Sequence, residues 1–512
     1  MMKTDKTDFL FVRTAGVELA RYGIKGTVES KLIEPLGIAY CTSYLMSRGF
    51  DADVYDIALK PNIGQAVQNI LLLQPLVIGF AVLYSHMLKD AYTLITLLRD
   101  GGYDGHITMG GTYPTLSAEY VLKTFPLVDS VVRSEGELVC NNLCSALKSR
   151  TALEDIPGLS YRKGEQIFHN PPGYLIPTLD KMPNPVRDNF EEYGKHGGVI
   201  QIHSSRGCHA NCGFCGTAAF YRKAEGPKWR ARSASHSVAE LASLLSRSVT
   251  NEVWFTDDNF IGPGSIGNQR AIEIAEIIIE RRLDVKLVIQ SRADNIQLQT
   301  VKRLKQAGLR KMYIGVESGD QRHLDSYNKR VLADQNVQAL KLLEQEEVFA
   351  ELGFIGFDPL TTLEEFGVNI AFMEQICGNS KFIHPFAFDL LIPYRGTPIA
   401  YDLLQKGLAV EDGFDFRSVI QNPLISEACS CVDHLLNRFG VLTEYIKSLI
   451  IQDGTTILAQ EVILKKNRLF ISCLKRVYKN LSCTSKTMAD EINSYNDQAV
   501  ANLERELGLS TK

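Results

Sequence analysis

RGCHANCGFC, residues 206–215, places three cysteines in the pattern C-x3-C-x2-C. The stretch follows the apolar segment GGVIQIHSS (197–205), which has the composition of a buried strand. Cysteines at this spacing indicate a metal site, because thiolates are metal ligands and ligand sets of this kind are short and local. A set of three leaves a four-ligand site incomplete, so the sequence predicts either a distant fourth ligand or an open position.

Two kinds of metal site fit this pattern. A structural zinc ion would need a fourth ligand, such as His209 or a distant cysteine, yet no second C-x2-C pair follows the stretch. A 4Fe–4S cluster held by three thiolates would keep one iron free for a substrate or cofactor. Cys429 and Cys431 form a C-x-C that could complete a zinc site or hold an auxiliary cluster, so both alternatives stay open at this point.

Downstream of the cysteines, strand-like and helix-like segments alternate. The predicted strands include EVWFTDDNF (252–260), VKLVIQSRAD (285–294), KMYIGVESG (311–319), VFAELGFIGF (348–357) and FIHPFAFDLLIPY (382–394). With the strand before the cysteines these make six, and their helices predict a partial (β/α)6 barrel. Active sites of such barrels lie at the carboxyl ends of the strands.

Upstream, residues 30–150 show the same alternation and predict a doubly wound, Rossmann-like parallel sheet. Residues 151–195 are rich in proline and glycine and predict a linker with a small hairpin. After about residue 405 the pattern becomes helical. We therefore predict an α/β protein with four regions: a first domain (1–150), a linker (151–195), a barrel core (196–405) and a C-terminal helical domain (406–512).

Composition excludes several classes of protein. The net charge of −4 over 512 residues disfavours a nucleic-acid partner. The longest apolar stretches, such as PLVIGFAVLY (75–84), are too short for membrane insertion. Eleven cysteines, with no apolar run near the N-terminus that suits a signal peptide, favour metal or redox use in a reducing compartment. We expect a cytoplasmic protein.

The cysteine stretch and five later segments resemble the radical SAM enzymes. Phe214 stands just before the last cysteine, as the aromatic residue of that signature does. The later segments occur in the family's order and extend the resemblance over residues 197 to 400: WFTDDNF (254–260), SRAD (291–294), YIGVESG (313–319), GFIGFDPLTTLEE (353–365) and PYRGTPI (393–399).

This resemblance implies roles for individual residues. Cys208, Cys212 and Cys215 would hold a 4Fe–4S cluster whose free iron binds the amino and carboxylate groups of S-adenosylmethionine (SAM). Three further residues would contact SAM, namely Phe214 through its backbone at adenine, and Arg292 and Glu317 beside polar atoms. Arg292 and Glu317 could instead form an ion pair at the barrel mouth.

Residues of the substrate pocket are less specific. Tyr394 and Arg395, at the end of the last core strand, are candidates to line it. Asp257 and Asp258 either shape the pocket or cap a helix. The C-terminal helices are expected to close over the barrel mouth, because a radical intermediate needs a pocket from which water is excluded.

The first domain resembles the cobalamin-binding domain of one branch of this superfamily. Its D-x-H-x-x-G fingerprint falls at DIALKP (56–61), where Ala58 replaces the cobalt-ligating histidine, and its S-x-L falls at AVL (81–83). Leu83, Gly110, Gly111 and Glu135 are the expected cobalamin contacts. Loss of the histidine either marks a lost site or fits cobalamin bound without a protein ligand on cobalt. The two glycines could also serve only as a turn.

The resemblance therefore implies a cobalamin-dependent radical SAM methyltransferase. Such enzymes cleave SAM reductively to a 5′-deoxyadenosyl radical and transfer a methyl group from methylcobalamin to an unactivated carbon of a small molecule. An electron donor such as flavodoxin or ferredoxin would supply the electron. The alternatives are a cyclase or rearranging enzyme of the same architecture, similar to the anaerobic porphyrin cyclases or to a ring-contracting enzyme, or a non-catalytic cobalamin- or metal-binding regulator. A methylthiotransferase is disfavoured, because it would need three grouped cysteines in the first domain.

Overall fold

The computed structural model describes residues 7–14, 33–59, 62–385, 387–452, 454, 456–481 and 488–509. It confirms the predicted class, an α/β protein with two parallel sheets followed by a largely helical region. Among the described helices, none is long and apolar enough to cross a bilayer.

The first sheet is covered by helices on both faces. Its strands are β1 (Phe9–Arg13), β2 (Ala52–Asp56), β3 (Val77–Ala81), β4 (His106–Gly110), β5 (Ser130–Val132), β6 (Leu159–Lys163) and β7 (Gln166–His169). Its helices are α1 (Leu36–Ser47), α2 (Ile63–Leu73), α3 (Met87–Asp100), α4 (Thr112–Leu116), α5 (Ala118–Thr124) and α6 (Gly136–Ser149). Alternate residues of β1 enter two separate cores, one with Leu10 and Val12 and the other with Phe9 and Phe11.

The strand order of this sheet places a ligand crevice at one edge. The order is β2-β1-β3-β4-β5-β6-β7, with β1 to β5 parallel. Chain progression reverses between β1 and β3, and open α/β sheets bind ligands beyond the carboxyl strand ends at such a point. The hairpin of β6 and β7 lies within the predicted linker but pairs with β5. The first sheet therefore continues past residue 150, while the outer domain limits stay a prediction.

The second sheet is an open, barrel-like array of six parallel strands in sequence order, with one short addition. After β8 (Gly173–Tyr174) and α7 (Phe190–Lys195), the strands are β9 (Ile200–Ile202), β13 (Glu252–Phe255), β14 (Lys286–Arg292), β15 (Leu309–Glu317), β16 (Phe349–Phe357) and β17 (Ile383–Pro385), and β18 (Asp389–Leu390) extends the pairing of β16. Short pairs join β10 (Ser205–Gly207) to β12 (Trp229–Ala231), and β11 (Ala224–Glu225) to β8. The helices are α8 (Gly216–Arg222), α9 (Ala234–Leu245), α10 (Gly264–Glu280), α11 (Leu298–Gln306), α12 (Gln321–Ser326), α13 (Ala333–Gln345), α14 (Leu363–Cys377) and α15 (Pro398–Gln405).

Side-chain alternation along β15 separates the two faces of this sheet. Met312 and Ile314 belong to the core under the helices. The intervening Tyr313, Gly315 and Glu317 therefore line the concave face, because successive strand residues point to opposite sides. The predicted barrel interior is thus partly polar toward its carboxyl end.

The C-terminal region begins with a hairpin rather than a helix. Strands β19 (Ala409–Asp412) and β20 (Asp415–Ser418) precede α16 (Pro423–Arg438), α17 (Gly440–Ile451), α18 (Thr456–Leu481) and α19 (Met488–Glu506). Lys447 of α17 lies 3.5 Å from the Glu351 carboxylate, and the Asn467 amide of α18 donates to the Ile383 carbonyl at 2.7 Å. Both contacts lie near the amino ends of barrel strands, so the prediction that these helices close over the mouth is wrong for α17 and α18.

Candidate active site

The cysteine loop, residues 208–215, lies at the carboxyl end of the second sheet. Cys208 directly follows β10, and Cys215 occupies the N-cap of α8. The loop tip is exposed at Asn211, whereas Cys212 is buried. The loop therefore leaves its polar tip in solvent and places its middle cysteine within the protein.

Two later segments of the chain hold this loop through backbone hydrogen bonds. The Gly213 N–H donates to the Tyr327 carbonyl at 2.8 Å, and the Gly213 carbonyl accepts from the Ile399 N–H at 3.2 Å. The Phe214 ring meets the Tyr327 ring edge-on, with centroids 5.7 Å apart. Phe214, the predicted adenine contact, is thus fixed at the start of α8 beside the barrel mouth.

Asp257 is a scaffold residue beneath the strand that leads into the loop. Its side chain is fully buried and accepts hydrogen bonds from the Ser204 N–H at 2.7 Å and the Ser204 hydroxyl at 2.6 Å. The Ser205 hydroxyl donates a third at 2.8 Å. Because both carboxylate oxygens are engaged in the interior, we withdraw Asp257 from the candidates that shape the substrate pocket.

Asp258 joins the two ends of the cysteine loop. It accepts from the Gly207 N–H and from the Thr217 hydroxyl, both at 3.0 Å. Gly207 immediately precedes Cys208, and Thr217 is the second residue after Cys215. Burial raises the pKa of Asp258. Asp258 therefore braces the loop, and neither predicted role, in the pocket or as a helix cap, describes it. The sequence did not predict this brace, because Thr217 belongs to no motif.

Arg292 and Glu317 do not pair with each other in this structure. The Arg292 guanidinium lies 3.4 Å from the Cys212 sulfur and donates to the Lys329 carbonyl at 2.9 Å, and Asp294 is its carboxylate partner. The Glu317 carboxylate instead accepts from the Lys329 ammonium at 2.7 Å. The alternative of an Arg292–Glu317 ion pair is therefore wrong, and Arg292 contacts the loop at Cys212.

Glu317 sits in a backbone conformation that is unusual for its residue type. Its φ is 69°, and the pairing of β15 with β16 shifts register between Gly315 and Glu317. A side chain at Gly315 would place its Cβ 2.5 Å from the Glu317 carboxylate. The strand end is thus irregular where the carboxylate turns over the concave face, as often occurs at functional sites.

The thiols of the loop suit a 4Fe–4S cluster by their number and chemistry. Burial raises the pKa of Cys208, and it raises the pKa of Cys215 to about 11, so both thiols are protonated until a metal displaces the proton. Three thiolates would ligate three irons of such a cluster and leave the fourth iron open, so the donor set fits a 4Fe–4S cluster.

The remaining cysteines pack as apolar side chains where they are described. Cys429 and Cys431 lie in α16 and are buried in the core shared by the barrel and the C-terminal helices. Cys377 and Cys473 belong to the same core. Cys483 lies outside the described residues. These positions lend no support to an auxiliary cluster.

At the carboxyl edge of the first sheet, the expected cobalamin positions lie on neighbouring strand ends. Leu83 follows β3 and is about half exposed, and Gly110 ends β4. Gly111 has φ 103°, and a Cβ there would lie 2.5 Å from the Val82 carbonyl oxygen. The glycine therefore allows the end of β4 to approach the loop after β3, and its contact with cobalamin stays a prediction. Ala58 follows β2 and supplies no metal ligand.

Glu135 is engaged elsewhere. Its carboxylate accepts from Arg230 Nη1, with 2.9 Å to each oxygen, and from the Ile176 N–H at 2.9 Å. Arg206 Nη1 lies 3.3 Å away. Because these partners and the protein interior surround the carboxylate, we withdraw Glu135 from the expected cobalamin contacts.

The carboxyl edges of the two sheets meet. A Cβ at Gly216 would lie 3.8 Å from Cγ2 of Thr112, so the residue after Cys215 touches the residue after Gly111. Tyr394 is part of the same junction, because two residues later a Cβ at Gly396 would lie 2.6 Å from the Leu116 carbonyl oxygen of α4. Burial raises the pKa of Tyr394, and nearby Tyr84 adds to the rise. Tyr84, which follows the S-x-L position, was missed because the fingerprint ends before it.

Arg395 joins the domains rather than lining a pocket. Its guanidinium lies 4.2 Å from the Tyr120 ring centroid and 4.1 Å from that of Phe416. Its Nε donates to the Phe414 carbonyl at 3.3 Å. Tyr120 belongs to the first domain and the two phenylalanines to the β19–β20 hairpin, so Arg395 clamps these segments together. Tyr394 remains the pocket candidate of the pair.

Family models match both halves of this arrangement. The B12 binding domain matches residues 25–143, and the Radical SAM superfamily matches residues 202–366. The uncharacterized methyltransferase PH0819 of Pyrococcus horikoshii is 30% identical over 369 residues, which are 71% of this chain and 77% of that protein. The anaerobic magnesium-protoporphyrin IX monomethyl ester cyclase of Rubrivivax gelatinosus is 28% identical, over 79% of this chain and 73% of the cyclase.

A solved structure shares the fold over nearly the whole chain. The cobalamin-dependent S-adenosylmethionine radical enzyme OxsB, with aqua-cobalamin and S-adenosylmethionine bound, gives a TM-score of 0.77 at 20% identity. The match covers 99% of this chain and 76% of OxsB. At this identity the likeness establishes the fold alone.

Proposed function

Since the chain belongs to the cobalamin-binding radical SAM enzymes, we propose that it is a methyltransferase acting on an unactivated carbon of a small molecule. A 4Fe–4S cluster, SAM and cobalamin are the cofactors of this family and of this chain. When bound, they supply a carbon-centred radical and a transferable methyl group. The protein's share is to bind them side by side and to exclude water.

One observation carries the proposal. The strand ends that would face cobalamin and the loop that would face SAM touch at Thr112 and Gly216. A substrate between Tyr84 and Tyr394 would therefore lie within reach of both cofactors. Methyl transfer needs that proximity, because the substrate must lose a hydrogen atom on one side and receive a carbon on the other.

The proposal assigns roles to the residues around the loop. Cys208, Cys212 and Cys215 would ligate three irons and leave the fourth for SAM. Glu317, held by Lys329, would face the polar atoms of SAM, with Arg292 and Phe214 beside it. These side chains orient SAM and the cluster, and none of them needs to change its protonation state during the reaction.

The cobalamin site would lack a protein ligand on cobalt. Ala58 stands at the histidine position, and its N–H donates to the Asp56 carboxylate at 2.9 Å. With alanine at this position, the protein would hold cobalamin through contacts other than a histidine on cobalt, and the bound cofactor would supply the methyl-transfer chemistry.

A cyclase is the second candidate function. The similarity to the Rubrivivax gelatinosus cyclase extends over 79% of this chain and favours it. Cyclisation would use the same cluster, and cobalamin would not donate a methyl group. A non-catalytic regulator is disfavoured, because a sensor has no need of charged residues placed around a free iron.

The first experiment is anaerobic purification, reconstitution with iron, sulfide and hydroxocobalamin, and metal analysis. The proposal expects about four irons and one cobalamin per chain. Cys212→Ala should lose the iron and keep the cobalamin, whereas Cys431→Ala, in the core away from the loop, should keep both. Zinc in place of iron would overturn the proposal.

The second experiment separates the reaction types without a known substrate. The reduced enzyme is incubated with SAM labelled in its methyl group, and 5′-deoxyadenosine and cobalamin are analysed by mass spectrometry. Label on cobalamin together with 5′-deoxyadenosine supports a methyltransferase. 5′-Deoxyadenosine without label on cobalamin favours the cyclase, and neither product favours a regulator.

A further inference from the structure

Arg206 connects the cysteine loop to the first domain. It lies in β10, two residues before Cys208, and its guanidinium reaches the start of α6. Nη2 lies 2.6 Å from the Glu137 carboxylate, and Nη1 lies 3.3 Å from that of Glu135. The guanidinium also lies 4.9 Å from the centroid of the Tyr40 ring in α1. All three partners belong to the first domain.

A second arginine strengthens this connection. Arg230 in β12 pairs directly with Arg206 across the short antiparallel ladder, and it donates to both oxygens of Glu135. The side chains of Arg206, Glu135 and Glu137 are 9%, 5% and 3% exposed. Two cations and two carboxylates thus form a buried, charge-balanced group at the domain junction.

Burial makes this group sensitive to geometry. Breaking a buried ion pair leaves an unpaired charge away from water, which is strongly destabilising. Small displacements of α6 relative to β10 are therefore disfavoured strongly. By contrast, the hydrogen bonds from Asp258, Tyr327 and Ile399 join the loop to the barrel and to segments at the barrel end. These hydrogen bonds do not involve the first domain.

We propose that Arg206 is a positioning residue that fixes the cluster relative to the cobalamin of the first domain, through Glu137 and Glu135. The inference rests on the proposed cluster site at Cys208, Cys212 and Cys215. It adds that different residues build the cluster site and set the position of the cluster. The barrel builds the loop, and the ion group sets its distance from the other cofactor.

Glu137→Gln tests this role, and Glu34→Gln is its matched control. Glu34 forms a buried ion pair with Arg187 and belongs to the same side of the interface, but neither residue touches the loop. Both variants remove one negative charge from a buried pair with arginine. Iron content, cobalamin content and the melting temperature are measured first in the wild type and in both variants. If the proposed cluster site is wrong, the wild type itself will lack iron.

The decisive readout is magnetic rather than catalytic. The reduced cluster speeds the spin relaxation of cob(II)alamin, and this effect falls steeply with distance. We expect Glu137→Gln to keep its iron and cobalamin but to lose part of the relaxation enhancement, measured by microwave power saturation of the cobalt signal. Glu34→Gln should retain the wild-type enhancement.

Two results would overturn the inference. Equal relaxation behaviour in the two variants would mean that Arg206 only holds the domains together. Loss of iron from Glu137→Gln would mean that the ion group is needed to build the cluster site. If Glu137→Gln does not fold, Glu137→Asp, which keeps the charge and shortens its reach, is compared with Glu34→Asp by the same measurement.

Discussion

The guanidinium of Arg292 lies 3.4 Å from the sulfur of Cys212, and its other end is tied to Asp294 and to the Lys329 carbonyl. The cation cannot follow Cys212 if the loop moves, because the side chain is only 9% exposed and bonded on both sides. It therefore presents a fixed positive charge to one ligand of the proposed cluster.

Arg292→Gln is expected to make the cluster harder to reduce. A cation beside a cluster ligand stabilises the more negative reduced form, and hydrogen bonds to cluster sulfurs act in the same direction. Losing both should lower the midpoint potential by about 60 mV, or about 1.4 kcal/mol for one electron. A redox titration followed by electron paramagnetic resonance measures this. Arg247→Gln, in an exposed ion pair with Glu191, should leave the potential unchanged, and equal potentials in all three proteins would contradict the assignment.

Asp258→Ala is expected to weaken iron retention without removing a ligand. The substitution leaves the Gly207 N–H and the Thr217 hydroxyl without their acceptor, at a cost of about 1–3 kcal/mol for each group that stays buried. Iron loss to a chelator should therefore be faster than in the wild type. Asp258→Asn, which keeps one acceptor oxygen, should fall between the two, and unchanged iron loss in Asp258→Ala would disprove the bracing role.

Gly111→Ala is expected to reduce cobalamin binding. The residue has φ 103°, and the new Cβ would lie 2.5 Å from the Val82 carbonyl, so the loop after β3 must shift. Gly102→Ala is the matched control, because its φ is 90° with no atom within 4 Å of the Cβ. Both should lose about 1–3 kcal/mol of stability from backbone strain. Only Gly111→Ala should bind hydroxocobalamin more weakly in equilibrium dialysis, and equal binding by both would remove the glycine from the site.

His384 is expected to make the protein less stable in mild acid. It is fully buried beside Glu351, with no hydrogen-bond partner for either ring nitrogen among the described residues. Burial, aided by Lys466 and Lys311 and opposed by Glu351, lowers its pKa to about 3. In the unfolded chain His384 therefore binds a proton near pH 6.5, whereas in the folded protein it stays neutral at that pH.

Stability from this residue is thus present above pH 6.5 and decreases as the pH falls toward 3. Between pH 7 and pH 5 the loss is about 2 kcal/mol. Glu351, whose pKa is lowered to about 2, contributes little in this window. His384→Gln should show a smaller drop in melting temperature from pH 7 to pH 5 than the wild type. The same drop in both proteins would refute the prediction.

Much of the fold could be predicted because its signals are local. The six barrel strands and the strands from β2 to β5 follow from apolar runs and the helices between them. The cysteine loop follows from a contiguous motif, and the positions of Phe214, Arg292 and Glu317 follow from segments of a few residues. Strand β1 was not predicted, because the expected alternation began only near residue 30.

Single residues with long-range partners were predicted less well. Glu135 and Asp257 resembled pocket residues because each follows a strand end, yet both turn to partners in the interior. Arg395 follows the same rule and instead lies between the Tyr120 and Phe416 rings. A predicted strand end gives the position of a residue in the fold, but it does not predict which residues its side chain contacts.

The sequence by itself determined the two sheets, the cysteine loop and the family, because hydrophobic periodicity and short motifs are properties of neighbouring residues. Only the tertiary structure decided how the two cofactor edges face each other and which charges hold them there. Arg206 and Glu137 are distant in the chain, and no motif predicts a contact between them. They pair because both side chains are buried. Away from water, each charge needs an opposite charge nearby, and folding brings the two within 2.6 Å.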